Sequence, residues 1–153
     1  MKKLTISLLI LTTALLAHAR IMKLWTYQEL HDKADIVVIA KHISTTNTIE
    51  QAVLPNIAPD VHVIGLSSEF DIEVVMKGDV SLKKLTLHHY RLAPLPSNTM
   101  MDNGPDLVSF DADHYNTRYL LFLHRESDGR YSPVSGQTDP AHVSILRLDG
   151  NAL

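Results

Sequence analysis

Short apolar segments with the pattern of β-strands recur along this chain, and only one short segment has the pattern of a helix. Residues that favour turns, mainly glycine, proline and asparagine, separate these segments. Strands joined by short turns pair antiparallel, whereas parallel strands need long crossovers, usually helices, which the sequence lacks. We therefore predict a mainly β fold, a small antiparallel barrel of five to six strands with a short N-terminal helix. A β-sandwich is the alternative, because strand patterns alone do not determine whether a sheet closes.

The helix prediction rests on residues 26–29, which read Thr-Tyr-Gln-Glu. This is the pattern of a capping box, in which the threonine hydroxyl accepts from the glutamate N–H and the glutamate side chain reaches back. We expect a helix from Tyr27 to about Lys33, with Leu30 and Ala34 turned inward.

The strand predictions follow from β-branched runs and from alternation of apolar and polar residues. In residues 69–76, alternation places Phe70, Ile72, Val74 and Met76 on one face. The predicted strands are 36–40, 69–76, 85–90, 118–123 and 130–134, with 143–148 as a short strand or a terminal helix. The polar segment 44–60 is predicted to be a loop or an irregular edge, and 91–117 to contain a long connection.

The first 19 residues have the three-part pattern of a secretory signal peptide. Residues 1–3 are Met-Lys-Lys, residues 4–16 are almost continuously apolar, and residues 17–19, Ala-His-Ala, form a small-x-small cleavage site. The apolar run is shorter than the roughly 20 residues that a spanning helix needs. We expect a leader over 1–19 and a single β-barrel domain over 20–153 that is periplasmic or secreted. An uncleaved N-terminal anchor is the alternative.

Charge and cysteine content limit the partners and the chemistry of the mature domain. Removal of Lys2 and Lys3 with the leader lowers the Lys+Arg count from 14 to 12 against 17 Asp+Glu, a net charge of −5. Nucleic acid is therefore not an expected partner, because phosphate binding needs a basic face. We expect no membrane span after leader removal. The chain has no cysteine, which excludes disulfides, thiol catalysis and cysteine-type zinc sites.

Three short motifs, in this order, resemble the netrin-like module, the OB-fold-type barrel also found in tissue inhibitors of metalloproteinases. They are the Ala-Asp-apolar strand at 34–41, the strand ending in Met-Lys-Gly at 70–78, and Tyr-Leu-Leu-Phe at 119–122 before Asp-Gly-Arg-Tyr at 128–131. The chain is also similar to small exported bacterial proteins with the same YLLFL…DGRY…SGQ ending. The resemblance covers about half of the mature chain and implies an OB-fold-like barrel that presents loops to a partner.

The inhibitors of that family place the amine and carbonyl of an N-terminal cysteine on the zinc of their target. Here the expected mature N-terminus is Arg20, and the chain has no cysteine. The family's mechanism is therefore not expected, and no catalytic or cofactor-binding residue is carried over from it. The long segments 44–60 and 91–117 favour a binding or interaction module, with another exported protein as its partner.

Histidine supplies the second hypothesis, a periplasmic metal-binding protein. His88 and His89 are adjacent on a strand, so they should point to opposite faces and not share one ion. Asp111, Asp113 and His114 form the best local cluster of ligands, suited to zinc or copper. An exposed polar turn is the simpler interpretation of this cluster, because it lacks the spacing of an established metal motif.

A small hydrolase is the third hypothesis. Ser135, in Val-Ser-Gly-Gln at 134–137, is the only serine in a suggestive setting. This hypothesis requires a histidine within hydrogen-bond reach of Ser135. A turn at Gly136 is the simpler interpretation, since the segment is not a Gly-x-Ser-x-Gly elbow. No catalytic motif is recognised, so an enzyme is the less favoured class.

Overall fold

Six strands of one mixed sheet make up most of the chain in the computed structural model, which describes residues 23–54, 60–94, 105–110 and 117–148. The predicted leader over 1–19 lies outside these ranges. In chain order the elements are α1 (Tyr27–Lys33), β1 (Ile36–Leu54), β2 (Val61–Lys77), β3 (Lys84–Leu92), β4 (Arg118–Arg125), β5 (Tyr131–Pro133) and β6 (Ile145–Leu148). The prediction of a mainly β fold with a short N-terminal helix is confirmed.

The predicted capping box begins α1. Thr26 Oγ1 accepts from the Glu29 N–H at 3.2 Å, and the Glu29 carboxylate accepts from the Thr26 N–H at 2.9 Å. Leu30 and Ala34 are buried as expected, in a small core on the outer side of β1 and β4. Among the described residues, no helix is long and apolar enough to cross a membrane.

Five of the strands form a ring. The order across the sheet is β1-β2-β3-β5-β4-β6, and β1 also pairs with β4. The start of β4 pairs with β6 and its end pairs with β5. β5 runs parallel to β3 through the single pair Leu87 and Tyr131, so the sheet is mixed and not wholly antiparallel as predicted. The described strands form one continuous sheet, not the two stacked sheets of the alternative.

The main core fills the interior of the ring. Its largest fully buried side chain, Phe70, packs edge-on against Tyr119 with ring centroids 6.1 Å apart. Burial of these apolar side chains supplies the stability that a chain without disulfides needs. The core residues are Ile36, Val38, Ala40, Phe70, Leu85, Leu87, Val108, Tyr119, Leu121, Leu123 and Ile145.

The prediction of a loop over 44–60 is wrong for most of its length. β1 continues to Leu54 and pairs with the first half of β2, so the two strands form a long hairpin arm. Apart from Ile49, residues 44–50 are polar, and most of them are exposed, so their polarity reflects exposure and not the absence of a strand. Residues 55–59 of the predicted loop lie outside the described ranges.

Phe70, Ile72, Val74 and Met76 were predicted to share one face of the strand, but only Phe70 and Ile72 do. The register of β1 and β2 shifts at Glu73, an extra residue opposite β1. Such a β-bulge reverses the alternation beyond it. Val75 therefore packs on the main core, whereas Val74 and Met76 are 48% and 59% exposed.

Candidate functional site

Two adjacent histidines on β3 point to opposite sides of the sheet, as strand alternation predicts. Of the His88 and His89 surfaces only 8% and 1% are exposed. His89 contacts Ser68 and Phe110 inside the ring, and His88 contacts Glu126 on the outer side. Each histidine therefore belongs to a different polar network.

His42, Thr45, Ser68 and His89 form a line of hydrogen bonds that we call the inner chain. It runs from the buried His89 and Ser68 to the exposed Thr45 and the half-buried His42. His89 Nδ1 lies 3.1 Å from the Val108 carbonyl oxygen, which can only accept, so Nδ1 carries the ring proton. His89 Nε2 then accepts from the Ser68 hydroxyl at 2.7 Å. Ser68 Oγ accepts from the Thr45 hydroxyl at 2.6 Å, and His42 Nε2 lies 2.8 Å from Thr45 Oγ1 at the end of the line.

The inner chain is uncharged at neutral pH. Burial lowers the pKa of His89 to about 4, because the charged imidazolium loses its hydration. Burial also lowers the pKa of His42. None of the described carboxylates lies close enough to His89 to offset this loss.

Ser68 and His89 have the spacing of a serine nucleophile and its general base. Ser68 is fully buried, however, and its hydroxyl already lies between Thr45 and His89. A substrate carbonyl has no route to this oxygen. The pair is therefore better suited to holding the interior together than to attacking a substrate.

Residues 105–110 cross one end of the ring, and Phe110 is seated there among aromatic rings. It stacks on His42 with centroids 5.0 Å apart, and it meets Phe70 at 5.1 Å, His89 at 5.2 Å and Tyr119 at 5.2 Å. The Val108 carbonyl accepts from His89 next to this group. The inner chain therefore helps to position the segment that covers this end of the ring.

A cleft of about 380 Å³ lies between the end of β3 and residues 105–110, and we call it the end cleft. His89 and Thr45 line it and connect it to the inner chain. Its apolar lining residues are Leu66, Leu92, Pro105, Leu107, Val108 and Phe110, and its other lining residues are Tyr90, Arg91 and Ser109. The cleft thus combines apolar walls with a few polar groups.

On the outer side, a bulge in β1 positions the second network. Residues 48–50 of β1 lie opposite the single β2 residue Gly65. A Cβ atom at position 65 would overlap Thr48 Oγ1 and lie 2.9 Å from Glu50 Oε2. Only glycine at position 65 leaves space for Glu50 to lie over β2. From there the Glu50 carboxylate reaches His88 on β3 and Arg130, which directly precedes β5.

The outer cluster consists of Glu50, His88, Glu126, Asp128 and Arg130. Arg130 donates to both Glu50 carboxylate oxygens, from Nη1 at 3.0 Å and from Nη2 at 2.7 Å. His88 Nδ1 donates to Glu126 Oε2 at 2.9 Å. His88 Nε2 lies 3.3 Å from Glu50 Oε2 in a contact too poorly aligned for a hydrogen bond. Arg130 Nε donates to Asp128 Oδ2 at 2.8 Å.

Charge pairing sets the protonation of the outer cluster. The hydrogen bonds from Arg130 lower the pKa of Glu50 to about 2, and those bonds also raise the pKa of Arg130. Burial, and next the Glu50 and Glu126 carboxylates, raise the pKa of the Tyr90 phenol. The cluster links the β1 bulge, β3 and the β4–β5 turn.

The outer cluster is not arranged as a metal site. The carboxylates of Glu50 and Glu126 approach different nitrogens of the His88 ring, so the three groups do not converge on one point. In the part of the chain that the structure describes, no group of three His, Asp or Glu side chains could hold a metal ion. The predicted zinc or copper ligands Asp111, Asp113 and His114 lie outside that part, and that site stays a prediction.

The candidate nucleophile Ser135 does not meet a histidine in the described part of the chain. Its buried hydroxyl has no hydrogen-bond partner among the described residues. Its backbone N–H donates to Ser144 Oγ at 2.8 Å. The contact that the hydrolase hypothesis requires is therefore not formed there.

Sequence reasoning missed the parts of the site that depend on tertiary pairing. The opposite orientations of His88 and His89 were predictable from strand alternation. Ser68, which contacts His89, and Glu50, which contacts His88, lie outside the strands that the sequence predicted. A signal was present in Gly65, an isolated glycine within an apolar run, because such a glycine indicates a bulge or a close approach of another chain segment.

Comparison with known proteins adds no family to these features. No protein-family model matches the chain, and none of the curated proteins matches it. The geometry of the ring and its end cleft is therefore the basis for a functional proposal.

Proposed function

We propose that this protein is an exported binding module that takes up its ligand in the end cleft. The observation that carries the proposal is the cleft of about 380 Å³ between β3 and residues 105–110. Sites for small molecules have volumes of roughly 300–1,000 Å³, mostly apolar walls and a few polar groups that orient the ligand. The end cleft has this size and this lining.

An OB-fold-type barrel is the finer architecture that we propose for the ring. The five-stranded order β1-β2-β3-β5-β4, with β1 returning to β4, supports it. So does the resemblance of the strand motifs to the netrin-like module. A partly open five-stranded ring of this kind binds its ligands through one face and the adjoining connections, and the end cleft lies between a strand and a connection.

Export of the module is supported by the leader pattern of residues 1–19, which favours a periplasmic or secreted domain. Binding of another exported protein, predicted from the sequence, is tested by cross-linking in the exported fraction. That partner would be recruited by the surfaces around the cleft, where connections rather than regular strands are exposed.

Binding suits the cleft better than catalysis does. The polar groups at its floor, Thr45 and His89, already bond to other members of the inner chain. General acid–base chemistry needs a group that exchanges a proton with the substrate. His89 is neutral and both of its ring nitrogens already have hydrogen-bond partners, so it offers the ligand a polar surface but does not serve as a general acid or base.

An uncharged fluorescent probe, N-phenyl-1-naphthylamine, tests whether the end cleft binds a ligand. The mature chain should bind the probe saturably, with increased emission, at pH 7. Ser109 lines the cleft and is exposed, so Ser109→Trp should obstruct the cleft without removing a packed side chain and should weaken binding about tenfold or more.

The matched control is Ser127→Trp, which places the same indole on an exposed turn position that does not line the cleft. This variant should bind the probe as the original chain does. Absence of saturable binding, or equal loss in both variants, would contradict the proposal.

A further inference from the structure

We infer that the end cleft binds a small molecule with an apolar body and one carboxylate group, and that Arg91 receives the carboxylate. The inference rests on the proposed function, because it names the class of ligand for the same cleft. Among the described residues that line the cleft, Arg91 is the only one charged at neutral pH. The cleft therefore has one positive charge in otherwise uncharged surroundings.

Neighbouring groups hold the Arg91 guanidinium in place. Its Nε donates to Asn47 Oδ1 at 2.9 Å, and its Nη1 donates to the Leu92 carbonyl oxygen at 3.2 Å. Both acceptors are uncharged, so they orient the group and leave its charge unneutralised. Within the described ranges, Nη2 has no hydrogen-bond partner and Arg91 has no ion pair. A planar guanidinium whose Nη2 has free N–H groups can donate a charge-assisted hydrogen bond to a carboxylate.

The rest of the cleft selects for an apolar body with a single charge. Leu107, Val108 and Phe110 provide apolar surface that favours transfer of hydrocarbon out of water. Thr45 and His89 have committed their donors to the inner chain. A phosphate dianion would require further cations or free donors, so a monocarboxylate fits this lining better.

Calorimetry with two probes of equal chain length isolates the role of charge. Octanoate carries a carboxylate, whereas 1-octanol presents the same hydrocarbon without a charge. At pH 7 the mature chain should bind octanoate at least about tenfold more tightly than octanol, since a charge-assisted pair in an apolar site contributes this much or more.

Arg91→Met should abolish this preference and leave the octanol affinity within about twofold, since the methionine keeps the apolar stem. Arg91→Lys should retain part of the preference, because it keeps the charge without the planar fork. Arg125→Met is the matched control. Arg125 is exposed on β4 and does not line the cleft, so its loss should leave the preference unchanged.

The outcomes separate the ligand class from the cleft itself. If octanol and N-phenyl-1-naphthylamine bind but octanoate has no advantage, or if Arg91→Met retains the advantage, the inference is wrong and the proposed function stands. If none of the three probes binds, both are wrong. Retention of octanol binding by Arg91→Met shows that the variant is folded and that its loss of preference comes from the missing charge.

Discussion

His88 and His89 are chain neighbours, yet the two sides of β3 give them opposite surroundings. His89 faces an interior with no carboxylate among the described residues and bonds to uncharged partners. His88 lies between two carboxylates that are partly exposed, those of Glu50 and Glu126. One network is neutral and is buried at Ser68 and His89, and the other is charged and reaches solvent.

The difference shows how a single strand borders two polar networks of different character. Hydrogen bonds of the inner chain run without charge to Val108, which lines the end cleft. Salt bridges of the outer cluster connect the β1 bulge to the β4–β5 turn on the other side. We therefore expect the inner side to determine binding and core stability, and the outer side to make a smaller, salt-sensitive contribution.

The largest effect is expected from truncating the inner histidine. His89→Ala would leave a cavity and remove the partners of the Ser68 hydroxyl and the Val108 carbonyl, and should lower the free energy of unfolding by about 3 kcal/mol. His88→Ala should cost less, about 1–2 kcal/mol, because His88 is also buried but its partners Glu50 and Glu126 can be hydrated once it is removed. Urea unfolding at pH 7 measures both. If the two variants lose the same free energy of unfolding, or if His88→Ala loses more, the two sides of β3 do not differ in the way proposed.

The next effect is a dependence on pH that differs between the two networks. His89 has a folded-state pKa of about 4, below its ordinary value of 6.5. Between these values the unfolded chain binds the proton first, so stability is complete above pH 6.5 and falls as the pH is lowered. This histidine should account for a loss of roughly 3 kcal/mol by pH 4. In the outer cluster, Glu50 has a pKa of about 2 against an ordinary 4.5, so its contribution is lost only between pH 4.5 and 2.

Urea unfolding at pH 7, 5.5 and 4 measures this dependence. His89→Gln should flatten the curve between pH 6.5 and 4, whereas Glu50→Gln should leave the change from pH 7 to 5.5 as it is and alter only the value at pH 4. His42 also has a lowered pKa, so the comparison is made between each variant and the original chain. If His89→Gln does not alter the dependence of the unfolding free energy on pH, His89 is not the buried, neutral group described here.

The smallest effect is expected at the bulge. Gly65→Ala should destabilise the chain by about 1–2 kcal/mol, because the new methyl group meets Thr48 and Glu50 and forces Glu50 away from Arg130. Where a strand glycine merely adds flexibility to the unfolded chain, the same change stabilises by up to about 1 kcal/mol. Thermal unfolding distinguishes the two signs, and probe binding in the end cleft should not change.

Local signals allowed part of this fold to be predicted. The capping box located α1, and the β-branched and alternating runs located the cores of the strands. Both depend on residues a few positions apart, which a single sequence displays directly. The prediction failed for residues 44–54, because residues 44–48 are polar and residues 48–50 form a bulge, so the segment shows no regular alternation of apolar and polar residues.

The candidate site was less predictable than the fold. The opposite orientations of His88 and His89 follow from alternation, but Ser68, Glu50 and Arg130 meet them only after the ring has formed. The cleft depends on residues 105–110, which have no regular structure and whose placement depends on contacts such as that of Phe110 with His42. Contacts of this kind leave no periodic trace in a sequence.

The most direct test of the account is a histidine-ring NMR spectrum recorded at pH 7 with and without N-phenyl-1-naphthylamine. We expect His89 to be neutral with its proton on Nδ1, and its resonances to shift when the probe enters the end cleft. His88, on the other side of β3, should shift little. Probe-induced shifts at His88 with none at His89, or a charged His89 at pH 7, would contradict the assignment of binding to the inner side.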